Sequence, residues 1–260
     1  MSAFLRSRFA NALLALGERT PLRRLLTSTV IDPRSGLSIG SGDMGRDWDE
    51  RARRNARFFV AGYDWESEES FARSGERDLE TVILKGLDLP PDAVVLEIGC
   101  GLGRLLRPIG GRFREAHGVD ISSEMVQRAT EELKDCPNVH IHHTDGGLGQ
   151  VPAAYFDFCF SYNVFQHISE KAAVLRYVQA AAAVLKPGGL FRFQVCQGEA
   201  NSPRSRAGGT WLGVVFTKAE LQQALPAYGF TILVMEEEET PADARRWDSL
   251  VVTCRRNAEE

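Results

Sequence analysis

Three glycines alternate at Gly99, Gly101 and Gly103, directly after the apolar run Val94-Val95-Leu96-Glu97-Ile98. That run reads as a buried strand interrupted by one carboxylate. Glycines at alternate positions let the main chain turn sharply and bring a bulky ligand against the backbone, here around Cys100. A helix-compatible segment, 104–113, follows at once, so the ligand would sit over a helix N-terminus at a strand end. The dinucleotide fingerprint G-x-G-x-x-G requires its third glycine at position 104, where Arg104 stands. The spacing here is E-x-G-x-G-x-G instead. Asp120, followed by Ile121, lies 21 positions beyond Gly99, where a carboxylate can accept hydrogen bonds from two vicinal ribose hydroxyls. Asp145, ahead of Gly146, either accepts from an adenine amino group or stabilises a loop turn. Met125, one turn into the helix after Asp120, packs either on an adenine face or in the core.

A second cluster follows the strand-like segment Phe156-Asp157-Phe158-Cys159-Phe160-Ser161-Tyr162. Asn163 comes just past its carboxyl end, the edge at which open α/β sheets bind ligands. His167 has a side chain whose ordinary pKa, about 6.5, suits proton removal from an acceptor at neutral pH. A histidine here could equally hold its loop to a neighbouring carbonyl, and both readings stand. Arg192 and Gln194 alternate with apolar residues on a later strand, facing an acceptor pocket, solvent or a helix. His140, His142 and His143 invite a metal reading, but no carboxylate or cysteine stands at ligand spacing beside them, so no metal site is expected.

Positioning these residues requires a regular alternation of strands and helices from residue 92 onward. Strands are expected over 94–98, 115–120, 139–143, 156–162, 190–196, 230–237 and 249–254. Helices are expected over 104–113, 123–134, 170–185 and 218–227, with a glycine-rich insertion over 197–213. The pattern is that of an α/β three-layer sandwich: a mostly parallel seven-stranded sheet, an antiparallel C-terminal strand pair, and N-terminal helices. Residues 1–42 form a basic extension and linker, 43–92 two helices placed as a lid over cofactor and substrate, and 93–256 the ligand-binding domain.

Composition narrows the class. Thirty-one basic and 35 acidic residues give a net charge of −4, which supplies no broad electrostatic footprint for nucleic acid. The five cysteines include no C-x-x-C pair, which argues against a disulfide framework and for a reducing, cytoplasmic setting. Phe4, Leu5, Phe9, Leu13 and Leu16 recur at helical spacing among arginines, so residues 1–30 read as an amphipathic helix. Such a helix serves either peripheral membrane or lipid contact, or docking on the domain or a partner subunit.

The glycine run, Asp120, Asp145, the 156–168 segment and the turn Leu185-Lys186-Pro187-Gly188-Gly189, in that order, resemble the class I (Rossmann-like) S-adenosylmethionine-dependent methyltransferases. The resemblance implies S-adenosyl-L-methionine as cofactor. It would be held by Glu97, Gly99, Cys100, Gly101, Gly103, Asp120, Ile121, Met125, Asp145, Gly146 and Asn163, with His167 as the candidate catalytic base. It further implies O- or N-methylation of a small-molecule acceptor. The chain lacks the Asn/Asp-Pro-Pro-Tyr/Phe tetrapeptide after the fourth strand, and lacks the catalytic cysteine motif of cytosine-C5 enzymes. Two other readings remain: a cofactor-binding subunit without turnover, and a nicotinamide oxidoreductase, the latter opposed by Arg104 and the closing strand pair.

Overall fold

The computed structural model describes residues 43–61, 67–199, 210, 213–238 and 248–258. The N-terminal extension, Tyr63, Trp65 and most of the glycine-rich insertion lie outside these residues. β1 (Val94–Ile98) shows how the core is divided. Side chains alternate across a strand, so Val94, Leu96 and Ile98 join one buried cluster and Val95 joins another. The first cluster takes Val174, Val178 and Ala181 from α5 (Lys171–Val184) and Leu221 and Leu225 from α6 (Lys218–Ala227). The second takes Leu106 and Ile109 from α3 (Leu106–Gly110) and Leu133, which caps α4 (Ser123–Glu132). Burial from both faces makes the central strands continuously apolar.

The remaining strands are β2 (Glu115–Asp120), β3 (Val139–His143), β4 (Phe156–Ser161), β5 (Leu185–Gln197), β6 (Val215–Phe216), β7 (Phe230–Glu237) and β8 (Ser249–Arg256). Their order is β3-β2-β1-β4-β5-β8-β7, with β6 added to the end of β5. β1 to β5 run parallel, and β8 is antiparallel to both β5 and β7. The expected mostly parallel sheet with an antiparallel closing pair is therefore observed, with the two-residue β6 as an addition. Among the described residues no helix is long and apolar enough to cross a membrane.

Three expected boundaries move, each for a local reason. The helix expected over 104–113 is reduced to α3, because residues 101–105 form turns and Gly110-Gly111 ends it. The turn at Lys186–Gly189 is not a break before a strand but an irregularity inside β5. Phe156 pairs with Leu185 and Phe158 with Leu190, leaving the intervening residues bulged, with Gly188 at φ 79°. Asp157 secures the bulge, accepting from Lys186 Nζ at 2.7 Å and from Val94 N at 2.8 Å. The second of the two helices expected within 43–92, read over 67–87, becomes α2 (Glu68–Asp78) followed by one π turn, Leu79–Ile83. Buried Arg192 finishes that turn: its Nη1 donates to the carbonyls of Val82, Ile83 and Lys85, and its Nε to Thr253 Oγ1. Of the three places open to Arg192, the structure selects the helix.

α1 (Met44–Ala61) breaks at Asn55 (φ −167°, ψ 81°). The Asn55 side-chain oxygen accepts from Phe58 N at 3.2 Å and so caps the second piece. From the first piece, Asp49 reaches the start of α4, accepting from Ser122 Oγ at 2.6 Å, Ser123 Oγ at 3.1 Å and Glu124 N at 3.0 Å. A carboxylate at this end also meets the positive pole of the α4 dipole. Partial burial pushes the Asp49 pKa up, but the Glu124, Ser122 and Ser123 hydrogen bonds and the Arg53 charge outweigh it and hold it below 3.8. A depressed folded-state pKa gives stability that is complete above the unfolded value and is lost as pH falls through the folded one. Asp49→Asn is expected to destabilise the chain by about 1 kcal/mol near neutral pH in urea unfolding. The difference from wild type should stay constant above about pH 4.5 and shrink as pH falls through and below 3.8.

Candidate functional site

A cavity of about 900 Å³ opens at the carboxyl ends of β1, β2 and β4. Its floor is the glycine loop. Gly99 N and Cys100 N both donate to Val119 O, at 2.7 and 3.1 Å, so the chain leaves β1 still tied to β2. Gly101 N donates to Asp120 Oδ2 at 2.8 Å, and Ser122 N donates to Asp120 Oδ1 at 2.9 Å. Gly99 and Gly101 have φ of 79° and 53°. A Cβ on Gly99 would lie 2.3 Å from Val164 Cγ2, and one on Gly101 would lie 2.7 Å from Val60 Cγ2. Either position therefore rejects a side chain through both conformation and space.

Cys100 presents its backbone to the cavity, while its sulfur packs on Gly118, where a Cβ would stand 2.7 Å from Sγ. Burial, with the charges of Asp120 and Glu97, pushes the Cys100 thiol well above its ordinary range, so it stays protonated and is no nucleophile. Gly103 departs from its expected place. It is not among the cavity-lining residues and instead packs on Leu133, whose Cδ1 would stand 2.3 Å from a Cβ.

Asp120 and Glu97 are the carboxyl groups beside the loop. Burial raises the Asp120 pKa, and the hydrogen bonds from Ser122 and Gly101 counter this only in part. Backbone N–H groups thus engage both Asp120 oxygens, and a carboxylate oxygen can accept more than one hydrogen bond. Glu97 is buried, and its Oε2 has no hydrogen-bond partner among the described residues. Burial drives its pKa well above the ordinary carboxylate range; the Arg104 charge opposes this and Asp120 adds to it. Arg104 is held by Asp78 Oδ2 at 2.7 Å and Ser74 Oγ at 3.1 Å.

Ile121, Met125, Asp145, Gly146 and Asn163 also line the cavity. Beside Asp145, Thr144 makes the turn: its Oγ1 accepts from Gly146 N at 3.1 Å and Gly147 N at 3.0 Å. Met125 is 1% exposed in a cluster with Leu102 and Ala52 and also lines the cavity. Asn163 adopts φ 59°, its N donates to Gln194 Oε1 at 3.1 Å, and its Oδ1 accepts from Gln166 Nε2 at 3.2 Å. Gln194 thus supports the loop. Its Nε2 donates to Glu238 at 2.5 Å, and Tyr162 OH donates to the same carboxylate at 2.6 Å. His167 is buried beside the cavity rather than in its lining, with its ring edge-to-face on Trp48 at 5.1 Å.

Trp48, Asp49, Arg53, Phe59 and Val60 of α1, within the helices placed as a lid, line the cavity. Arg176 and Tyr177 of α5 line it too, and nothing local in the sequence marks them. Buried Arg51 fastens α1 further, donating to Thr210 O at 3.1 Å and Thr210 Oγ1 at 2.9 Å. Thr210 Oγ1 in turn donates to Asp47 Oδ2 at 2.8 Å. One expectation is corrected outside the cavity. The histidines of β3 do have a carboxylate beside them, because β2 and β3 pair in register and bring Glu115 to His140.

The profile of a methyltransferase-domain family matches residues 95–189, which includes the glycine loop, Asp120, Asp145 and Asn163. The 2-methyl-6-phytyl-1,4-hydroquinone methyltransferase of a Synechocystis strain is 32% identical over 107 residues, 40% of this chain and 33% of that protein. Phosphoethanolamine N-methyltransferase 3 of Arabidopsis thaliana is 30% identical over 129 residues, 46% of this chain and 24% of that protein. The matches thus span a third or less of those relatives' lengths. Among solved structures, the [4+2]-cyclase SpnF superposes with a TM-score of 0.61 at 18% identity, covering 85% of this chain and 98% of the other. Residues 95–189 match a methyltransferase-domain family, and the fold of the chain is that of solved class I, Rossmann-like S-adenosylmethionine-dependent methyltransferases.

Proposed function

We propose that the chain transfers a methyl group from S-adenosyl-L-methionine to a small-molecule acceptor. The observation that carries this reading is the pairing of an Asp120-clamped glycine loop with buried Glu97, whose Oε2 has no partner among the described residues, both in the lining of one cavity. A buried carboxyl with an idle oxygen, held protonated in the ligand-free fold, favours a cationic ligand, which it meets by giving up its proton. Asp120 would take the ribose hydroxyls, Asp145 the adenine amino group, and Ile121 and Met125 the base faces. When bound, the cofactor supplies a methyl group on a positively charged sulfur, which is already a good leaving group. What remains for the chain is to align the acceptor and exclude water. Trp48, Phe59 and Tyr162 line the cavity with aromatic surface suited to an acceptor with an apolar body. The N-terminal helices act as the lid. His167 would accept the acceptor proton if Trp48 yields to it, and otherwise positions the loop. The two curated relatives, named for a hydroquinone and a phosphoethanolamine, support a small-molecule acceptor.

Isothermal titration with S-adenosyl-L-methionine should give micromolar binding, weakened about 100-fold in Asp120→Ala, which loses the ribose acceptor and the Gly101 clamp together. Unchanged affinity in that variant would sink the assignment. Release of S-adenosylhomocysteine with an acceptor panel then separates an enzyme from a cofactor-binding subunit.

Glu97→Gln should move stability and affinity in opposite directions. Below 4.5 the carboxyl is protonated in both folded and unfolded chains and imposes no penalty. Above 4.5 the unfolded chain ionises first while the folded one holds its proton, so wild-type stability declines as pH rises through that window. The ligand-free variant should therefore be more stable than wild type at neutral pH, by on the order of 1–3 kcal/mol. That advantage should vanish below pH 4.5, while cofactor affinity falls.

A further inference from the structure

The β2–β3 edge gathers four histidine and carboxylate side chains that the cavity does not use. β3 is the last strand of the sheet, and its parallel register places His140 opposite His117. Glu115, His117, His140 and His142 then share one face, since alternate residues of paired strands do. Glu115 Oε1 lies 2.7 Å from His117 Nε2 and 3.6 Å from His140 Nε2. One ligand atom from each of Glu115, His117 and His140 lies within 4.8 Å of the other two. We infer that Glu115, His117 and His140 bind a divalent transition-metal ion of the kind that favours imidazole, with Zn²⁺ as its representative.

Two features prepare the group for that role. The first is orientation of the carboxylate: Tyr155 OH donates to Glu115 Oε2 at 2.7 Å, which leaves Oε1 turned toward both imidazoles. The second is a partner for the far side of His117. Its Nδ1 lies 2.9 Å from His142 Nε2, with the two rings parallel within 5° and their centroids 5.2 Å apart. This is an in-line bond between two imidazoles. Without metal, His117 Nε2 donates its proton to Glu115 and Nδ1 accepts from His142. With metal on Nε2, the His117 proton moves to Nδ1 and is donated to His142 Nε2, whose own proton shifts to its other nitrogen. No charge is created and each ring keeps a partner. A ligating histidine usually has this kind of support on its second nitrogen.

The ligand set suits one metal class. Two imidazoles and a carboxylate, with a fourth position left for water, match the ligands and open geometry taken by Zn²⁺, and imidazole donors exclude Mg²⁺ and Ca²⁺ as preferred ions. His117 is buried against the Phe156 ring at 5.1 Å, while the His140 side chain is 45% exposed, so the site has a fixed inner wall and an open outer one. The cluster lies at the start of β2 and the cavity at its end, about 16 Å away along the strand. The metal would therefore pin the edge strand β3 to β2 rather than take part in methyl transfer.

The test is a titration of the chelator-stripped full chain with Zn²⁺ alone, read by calorimetry and by thermal unfolding. The expected result is one Zn²⁺ per chain, a raised midpoint with Zn²⁺, and binding at least 10-fold weaker in both His140→Ala and Glu115→Gln. His140→Ala removes an exposed side chain and should retain the metal-free midpoint. If its far-ultraviolet circular dichroism departs from wild type, the Glu115→Gln titration decides alone. Cys136→Ser should bind as wild type does. Stoichiometry well below one, affinity unchanged in Glu115→Gln, or loss of binding in Cys136→Ser would each overturn the assignment.

Discussion

Asp120 can end β2 as a buried carboxylate only because two backbone N–H groups point at it, and most of the site depends on that arrangement. One of those groups, Gly101 N, belongs to the loop after β1, and the other, Ser122 N, belongs to the entry of α4. A single side chain therefore sets the spacing between two neighbouring strand ends. The low-dielectric surroundings that strain Asp120 also strengthen each of these bonds. Val119 O fixes the same loop from below through Gly99 N and Cys100 N. With its exits from β1 and β2 locked together, the sheet edge presents a shaped surface before any ligand arrives, which is what alignment of two reactants requires.

The roof is tied to this floor through electrostatics as much as through packing. Asp49 reaches from α1 to the residues that follow Asp120, so the helix that covers the cavity is anchored next to the carboxylate that organises it. Arg51 ties the same helix to Thr210 on another part of the chain. The π turn after α2 ends on Arg192 of β5, which links a helix before the sheet to its centre. These long-range polar contacts explain how two N-terminal helices, each too short to be stable alone, hold their places.

Strands and glycines were legible in the sequence because their signals are local. Val94–Ile98, Val139–His143 and Lys218–Ala227 stand where period, caps and breakers place them. That Asp120, Asp145 and Asn163 line one cavity was legible because each ends or follows a strand at the same edge. What the sequence could not show is pairing across distance. Asp49 meets Ser122 across 73 positions, and Glu115 meets His140 only once β2 and β3 have taken one register. Gly103 was grouped with the other glycines by spacing alone, yet its neighbour is Leu133 at the end of α4. The bulge in β5 likewise depends on Asp157 of the adjacent strand.

The contacts of the glycine loop alter what its spacing signifies. Val164, Val60 and Leu133 occupy the places where side chains at Gly99, Gly101 and Gly103 would stand, with no ligand involved. The alternating glycines are thus a steric signature of three apolar neighbours crowding one loop, and an empty site would demand them as strictly as a filled one. Selectivity, which glycines without side chains cannot provide, falls to the cavity-lining side chains around the loop.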